Sequence, residues 1–287
     1  MPPLSDVLVA DLTRLLPGPF ASRELLRLGA QVVKIEPPDG DALETTAPGW
    51  YEALNAGKEI LRWDAASEPP PPALLAADVV LEGFRPGTWE RLGVELADTA
   101  ILCSITGFGV AGPRAHDAGH DLNYLGYAGV LADTAPAVPP VQVADLAAGG
   151  QAAVSAVLAA LLERATTGRG GRIVVSMTHG AHELAAHRLA GEPIPRLLTG
   201  GAACYRIYET ADGRHLTVAA LEPRFWRRLC ELLERPDLVD RAFEPELPEL
   251  AALFLTRTLA DWRDLLEGKD TCVGPVLTLA EAAAELT

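Results

Sequence analysis

The chain has 287 residues, 49% hydrophobic and 22% charged, which is enough for one large domain or two smaller ones. Its formal net charge of −15 repels a phosphate backbone and argues against nucleic acid as a partner. The same charge is compatible with an anionic small ligand, because local cations and helix N-termini hold phosphates.

Taken in chain order, residues 7–12 and 32–35 read as strands. Between them Pro17-Gly18-Pro19 opens a helical segment over 20–28 that Gly29 closes, giving a β-α-β unit with a right-handed crossover. Two further β-rich runs, 78–81 and 100–105, flank a short helix at 88–92, and the proline-rich stretch 68–72 is a loop. This pattern predicts an α/β fold built on an open, parallel, Rossmann-like sheet. Helices are expected over 121–131 and 145–164, then a strand at 173–177 and a helix through 189. Residues 205–221 predict a hairpin turning at Asp212-Gly213. Helices follow at 224–233 and 247–266, and the chain closes with a strand-like run and a helical tail. The expected division is a large α/β domain over 1–192 and a smaller α+β domain over 193–287.

Four cysteines (Cys103, Cys204, Cys230 and Cys272) form no CxxC pair, so neither a zinc site nor a disulfide framework is expected. The N-terminus carries Asp6 and Asp11 where a signal peptide would have a basic start and an apolar run. The apolar stretch at 152–162 reads as too short to span a bilayer, so no membrane partner and a cytoplasmic location are expected. No GxGxxG, P-loop lysine or GxSxG elbow is present, which argues against the common NAD, nucleotide and serine-hydrolase classes.

Several residues carry chemistry. His120, in Gly119-His120-Asp121, is either an exposed residue at a helix start capped by Asp121 or a group that exchanges a proton near neutral pH. Asp145 sits at the start of a helix and is either a cap or a functional carboxylate. The small residues after it, Ala147 to Gly150, would let a ligand approach, and exposed amides there would stabilise an oxyanion. Glu222 lies between a strand and a helix. Arg85 follows a strand end, where ligands bind in open α/β sheets. Lys34, Lys58 and Arg14 are either surface charges or phosphate contacts. Gly119, Asp121 and Tyr124 are expected beside His120 at the ligand site.

Six collinear segments, among them VLVADLTRLLPGPFASRELLRLGAQVVKIEPPDGD, LEGFRPGTWERLGV, SITGFGVAGPRAHDAGHDLNYLGYAGVL and VADLAAGGQAAVSAVLAALLERATTGRGGRIVVSM, resemble the family III CoA-transferase and α-methylacyl-CoA racemase superfamily. The resemblance implies an acyl-CoA substrate, coenzyme A as part of that substrate with no tightly bound cofactor or metal, and an interlocked homodimer. It matches Asp145 to the covalent nucleophile of the transferases and to an acid/base residue of the racemases. It matches His120 to the racemases' other proton-transfer residue and Glu222 to an assisting one. Their joint presence favours a racemase or epimerase of 2-methylacyl-CoA thioesters over a CoA-transferase, with a CoA-ester-binding paralogue lacking turnover as a third reading. Departures are Pro37, Ala56 and Glu59, where many relatives carry basic residues, and a C-terminal return to the large domain that is expected to be shortened or missing.

Overall fold

The computed structural model describes residues 1–286. The chain forms two compact units, Met1–His187 and Arg188–Thr287.

The first unit is built on six parallel strands. In chain order its elements are β1 (Leu8–Asp11), α1 (Pro17–Arg27), β2 (Gln31–Glu36), α2 (Ala42–Thr46), α3 (Pro48–Asn55), β3 (Glu59–Arg62), α4 (Pro72–Leu75), β4 (Val79–Glu82) and α5 (Thr88–Leu92). There follow β5 (Ile101–Thr106), α6 (Asp121–Tyr127), a π-helix (Ala144–Gln151), α7 (Ala152–Thr167), β6 (Gly171–Ser176) and α8 (Met177–Ala185). The strand order is β3-β2-β1-β4-β5-β6, all parallel. Helices cover the central strands on both faces, which is why β1, β4 and β5 read as nearly unbroken apolar runs rather than alternating ones. Val9, Leu81, Ile101 and Cys103 pack on α1, the π-helix and α7, while Ala10, Val80 and Leu102 face Leu74, Trp89 and Trp63.

Three sequence expectations need correction here. β3 was not anticipated: its residues are mostly exposed and it starts and ends on a charge, as suits an edge strand, so no alternating apolar pattern announces it. The helix expected over 121–131 stops at Tyr127, where Gly129 turns the chain at φ +80°. Ala144–Thr167 is a continuous helical run of 24 residues, long and apolar enough to cross a membrane by length and composition. That corrects the shorter run read from the sequence. Here the run packs against α1, β5 and β6 as a core helix.

In the second unit β7 (Tyr205–Glu209) and β8 (His215–Ala219) form the expected hairpin, with Gly213 at φ +70°, and β9 (Val273–Pro275) pairs antiparallel with β8. The unit also holds α9 (Pro223–Leu232), α10 (Pro248–Phe254), α11 (Leu259–Leu266) and α12 (Leu279–Leu286). Its core is anchored by two buried indoles: Trp226 donates to the Leu238 carbonyl at 2.9 Å and Trp262 to that of Phe254 at 2.8 Å. The single helix expected over 247–266 is two. Thr258 caps α11 by accepting from the Asp261 amide, and the Asp261 carboxylate accepts the Thr258 amide at 3.1 Å.

Candidate active site

β1 and β4 are neighbours, but the chain runs outward from them in opposite directions, to β2 and β3 on one side and to β5 and β6 on the other. The loops after β1 and β4 therefore part at the carboxyl edge of the sheet, the position where open α/β sheets hold ligands. A cavity of about 470 Å³ opens there, walled by Thr13 to Gly18, by Gly83 to Pro86 and by the loop after β5. His120 and Asp145 both line it, although they stand at the starts of two different helices.

His120 is the exposed residue immediately before α6. The expectation that Asp121 caps this helix is corrected: His120 holds the cap position and donates its amide to Asn123 Oδ1 at 3.1 Å. Asp121, expected at the ligand, lines a cleft beside His120 and Asp145 and also accepts the backbone amide of Asp145 through Oδ1 at 3.0 Å. Asp145 is 8% exposed, and its carboxyl oxygens have no hydrogen-bond partner among the described residues. Burial and then the neighbouring Asp121 charge push its pKa up to about 7.

The oxyanion role expected of the Asp145 helix start is also corrected, since the Asp145 amide is committed to Asp121. The amides of Asp121 and Leu122, in the first turn of α6, have no acceptor among the described residues. Nor do the small residues after Asp145 make room for a ligand. A Cβ on Gly149 would lie 2.9 Å from Met177 Cγ, and one on Gly150 would lie 2.6 Å from Phe20 Cδ1. These glycines let α8 and α1 close onto the π-helix. Gly119 lies against the Tyr124 ring, whose hydroxyl donates to the Gly119 carbonyl. Tyr124 is buried, stacks edge-on with Phe108 at 5.2 Å and forms a wall of the cavity.

The basic residues divide sharply. Lys34 and Lys58, expected either at the surface or on phosphates, are buried. Lys34 Nζ donates to the Thr13 carbonyl at 2.8 Å and meets Asp41 at 3.4 Å and Glu36 at 3.5 Å. Lys58 Nζ donates to Asn55 Oδ1 at 2.8 Å and the Pro19 carbonyl at 3.0 Å, with Asp11 at 3.5 Å. Burial brings the Lys58 ammonium down to about 8. Asp11 loses solvation but is held below the usual carboxylate range by both lysines and by the hydroxyls of Ser22 and Thr13. Arg85 lines the cavity and ties down the loop that leads to His120, donating to the carbonyls of His116 (2.9 Å) and Asp117. Arg14, given little weight from sequence, is exposed on the cavity wall with no hydrogen-bond or ion-pair partner among the described residues. Its neighbour Leu15 sits at φ +66°, a left-handed conformation fixed where its amide meets Asp41 at 3.0 Å.

Glu222 belongs to the second unit, exposed at the N-cap of α9 with no side-chain cap bond. The His120–Asp145 pair is assembled wholly within the first unit.

Two smaller clefts adjoin the cavity and were not foreseen. One of about 290 Å³ shares His120, Asp145, Leu16 and Trp50 with it and adds Leu122, Val138 and Pro139. The other, about 170 Å³ and nearly all apolar, shares Leu12, Arg14 and Phe84 and adds Ile35 and Trp63. Trp50 keeps 60% of its surface open, an exposure that the sequence does not show.

An open α/β protein with a histidine and a buried carboxyl on its switch-point cleft is the class that fold and site define. Residues 4–286 match the family described as CoA-transferase family III, and the chain belongs to that family. It is 34% identical to the human alpha-methylacyl-CoA racemase, over 97% of this chain and 78% of that protein. It is 30% identical to the mouse succinyl-CoA:glutarate CoA-transferase, over 99% of this chain and 74% of that one. The crystal structure of Rv3272 from Mycobacterium tuberculosis superposes with a TM-score of 0.84 at 30% identity, covering 99% of this chain and 85% of that one.

Proposed function

We propose that the protein interconverts epimers of 2-methylacyl-CoA thioesters by moving the proton α to the thioester carbonyl. The observation that carries this reading is the placement of His120 and Asp145 on one cavity, with the Asp145 carboxyl at about 7. A group that titrates there gives and takes a proton near neutrality at little cost.

In one direction neutral His120 takes the α proton, and the C–H electron pair passes into the enolate. Protonated Asp145 then returns a proton to the other face of the same carbon, which leaves the thioester intact with inverted configuration. The enolate oxygen needs donors. The free amides of Asp121 and Leu122 are suited to that role, and one such donor is typically worth about 3–4 kcal/mol.

The adjoining clefts suit the rest of such a substrate. The slot between Trp63, Ile35 and Phe84 suits the adenine ring, with Arg14 beside it for phosphate. The cleft of Trp50, Leu122, Val138 and Pro139 contains no lysine or arginine and already holds two carboxylates, so it favours an apolar acyl chain over one ending in a second carboxylate. Coenzyme A thus enters as part of the substrate. Glu222 assisting at the same centre, a homodimeric assembly and a cytoplasmic location belong to the same proposal.

The test is solvent deuterium incorporation into 2-methylacyl-CoA, read by mass spectrometry. His120→Ala and Asp145→Ala are each expected to lower exchange by about 10²–10⁴-fold. Undiminished exchange in both would refute the assignment. A second reading, acyl transfer through Asp145, is favoured by its partnerless carboxyl oxygens facing the cavity. It predicts an aspartyl adduct trapped by hydroxylamine or borohydride. Acyl-CoA binding with neither exchange nor adduct would leave only a binding protein.

A further inference from the structure

Asp121 occupies an unusual place between the two groups assigned to proton transfer. It follows His120 directly and is the first residue of α6. Its carboxylate reaches across to a different element and accepts the amide of Asp145 at 3.0 Å, with both residues buried. We propose that Asp121 is a positioning residue: its carboxylate anchors the backbone of Asp145 to the joint that carries His120, and holds a second negative charge beside the Asp145 carboxyl.

The anchoring follows from geometry. The amide of Asp145 lies in the first turn of its helix and has no intrahelical acceptor, so the Asp121 oxygen satisfies a donor that the fold would otherwise bury unpaired. Two carboxylates in one low-dielectric pocket disfavour double ionisation, and the elevated Asp145 carboxyl agrees with that. The other ionisable groups around the cavity are Arg14, Arg85, Asp117, His120 and Tyr124. Behind the π-helix pack α1, α8, β5 and β6, and the residues that α1 and α8 place against its glycines are Pro17, Phe20 and Met177, none of which titrates.

The inference rests on the proton-transfer reading for its consequence but not for its first measurement. Asp121→Asn keeps an oxygen for the Asp145 amide and removes the charge, whereas Asp121→Ala removes both. Carboxyl ¹³C NMR titration, with Asp145→Asn to assign the signal, reads Asp145 directly in the intact protein. Asp121→Asn is expected to retain the parent's melting temperature and to move the Asp145 midpoint down by about one pH unit. The basic limb of the deuterium-exchange profile, in the direction where Asp145 donates, should move with it. Asp121→Ala is expected to lose roughly a further tenfold in exchange through misplacement of the carboxyl. An unmoved midpoint in Asp121→Asn would overturn the proposal. A moved midpoint in a protein whose parent exchanges no α proton would overturn the reaction and keep the coupling of the two carboxylates.

Discussion

Lys58→Met separates two uses of a basic residue near a CoA-sized cavity. Methionine keeps the length and apolar stem of lysine and removes only the ammonium. In this fold the ammonium satisfies Asn55 and the Pro19 carbonyl and neutralises Asp11, whose carboxylate is fully buried. Without it Asp11 depends on Lys34 and on the hydroxyls of Thr13 and Ser22. Breaking a buried pair by removing one partner typically costs about 3–5 kcal/mol. The depressed Lys58 pKa of about 8 shows how much burial already opposes its charge, which places the loss at the low end of that range. For a unit of this size each kcal/mol shifts Tm by about 2–4 °C, so a fall of roughly 6–12 °C is expected by calorimetry. The double variant Asp11→Asn with Lys58→Met should recover part of it, because the uncompensated carboxylate is gone. Arg14→Ala should do the reverse, with Tm nearly unchanged (surface substitutions usually stay within about 0.5 kcal/mol) and Kd for coenzyme A raised about tenfold. If Lys58→Met keeps the parental Tm and instead weakens CoA binding, the ammonium is a ligand contact and the structural assignment fails.

Three further outcomes are expected. Asp145 titrates at about 7 in the folded protein against 3.8 for a free carboxyl, so between those values the folded state holds a proton that the unfolded chain has released. Stability from this group therefore falls as pH rises through that window, by no more than about 4 kcal/mol. Denaturant titrations of Asp145→Asn, which lacks this carboxyl, should show a shallower fall between about pH 4 and 7 than the parent's. Gly150→Ala should lower stability by about 1–3 kcal/mol, since the added methyl meets Phe20 at 2.6 Å and the Pro17 carbonyl at 2.9 Å; an unchanged Tm would mean that α1 yields freely. Trp50→Ala should raise KM for long apolar acyl-CoAs and leave that for propionyl-CoA unchanged, whereas an equal effect on both would remove the acyl chain from that cleft.

The fold was legible wherever burial is two-sided. β1, β4 and β5 are apolar on both faces, and a run of four to six such residues between turn signals has few other readings. β3 was not legible, because an edge strand is solvated and its charged residues carry no period. The break between α10 and α11 was legible in principle, since Thr258 and Asp261 stand at capping-box spacing, but the apolar spacing of three and four runs across it and masks the stop.

The site was legible as residue types and not as assignments of partners. Composition singles out Lys34 and Lys58 as rare cations in an acidic chain, yet nothing in their local sequence says that Asp11, Glu36 and Asp41 lie within ion-pair reach. Parallel register supplies that fact, because Asp11 pairs with Lys34 across β1 and β2 and so brings charges 23 residues apart into one layer. The same limit applies at Asp145. The sequence shows a carboxylate followed by alanines and glycines, which suits a ligand approaching a helix end as well as two helices approaching a third. Only the contacts decide between them, and they assign the glycines to Met177 and Phe20 and the free amides to α6. The glycines therefore contribute to the chemistry indirectly. They let the π-helix pack closely enough against α1 and α8 to hold Asp145 at the cavity wall, where burial and a second carboxylate bring its proton into the physiological range.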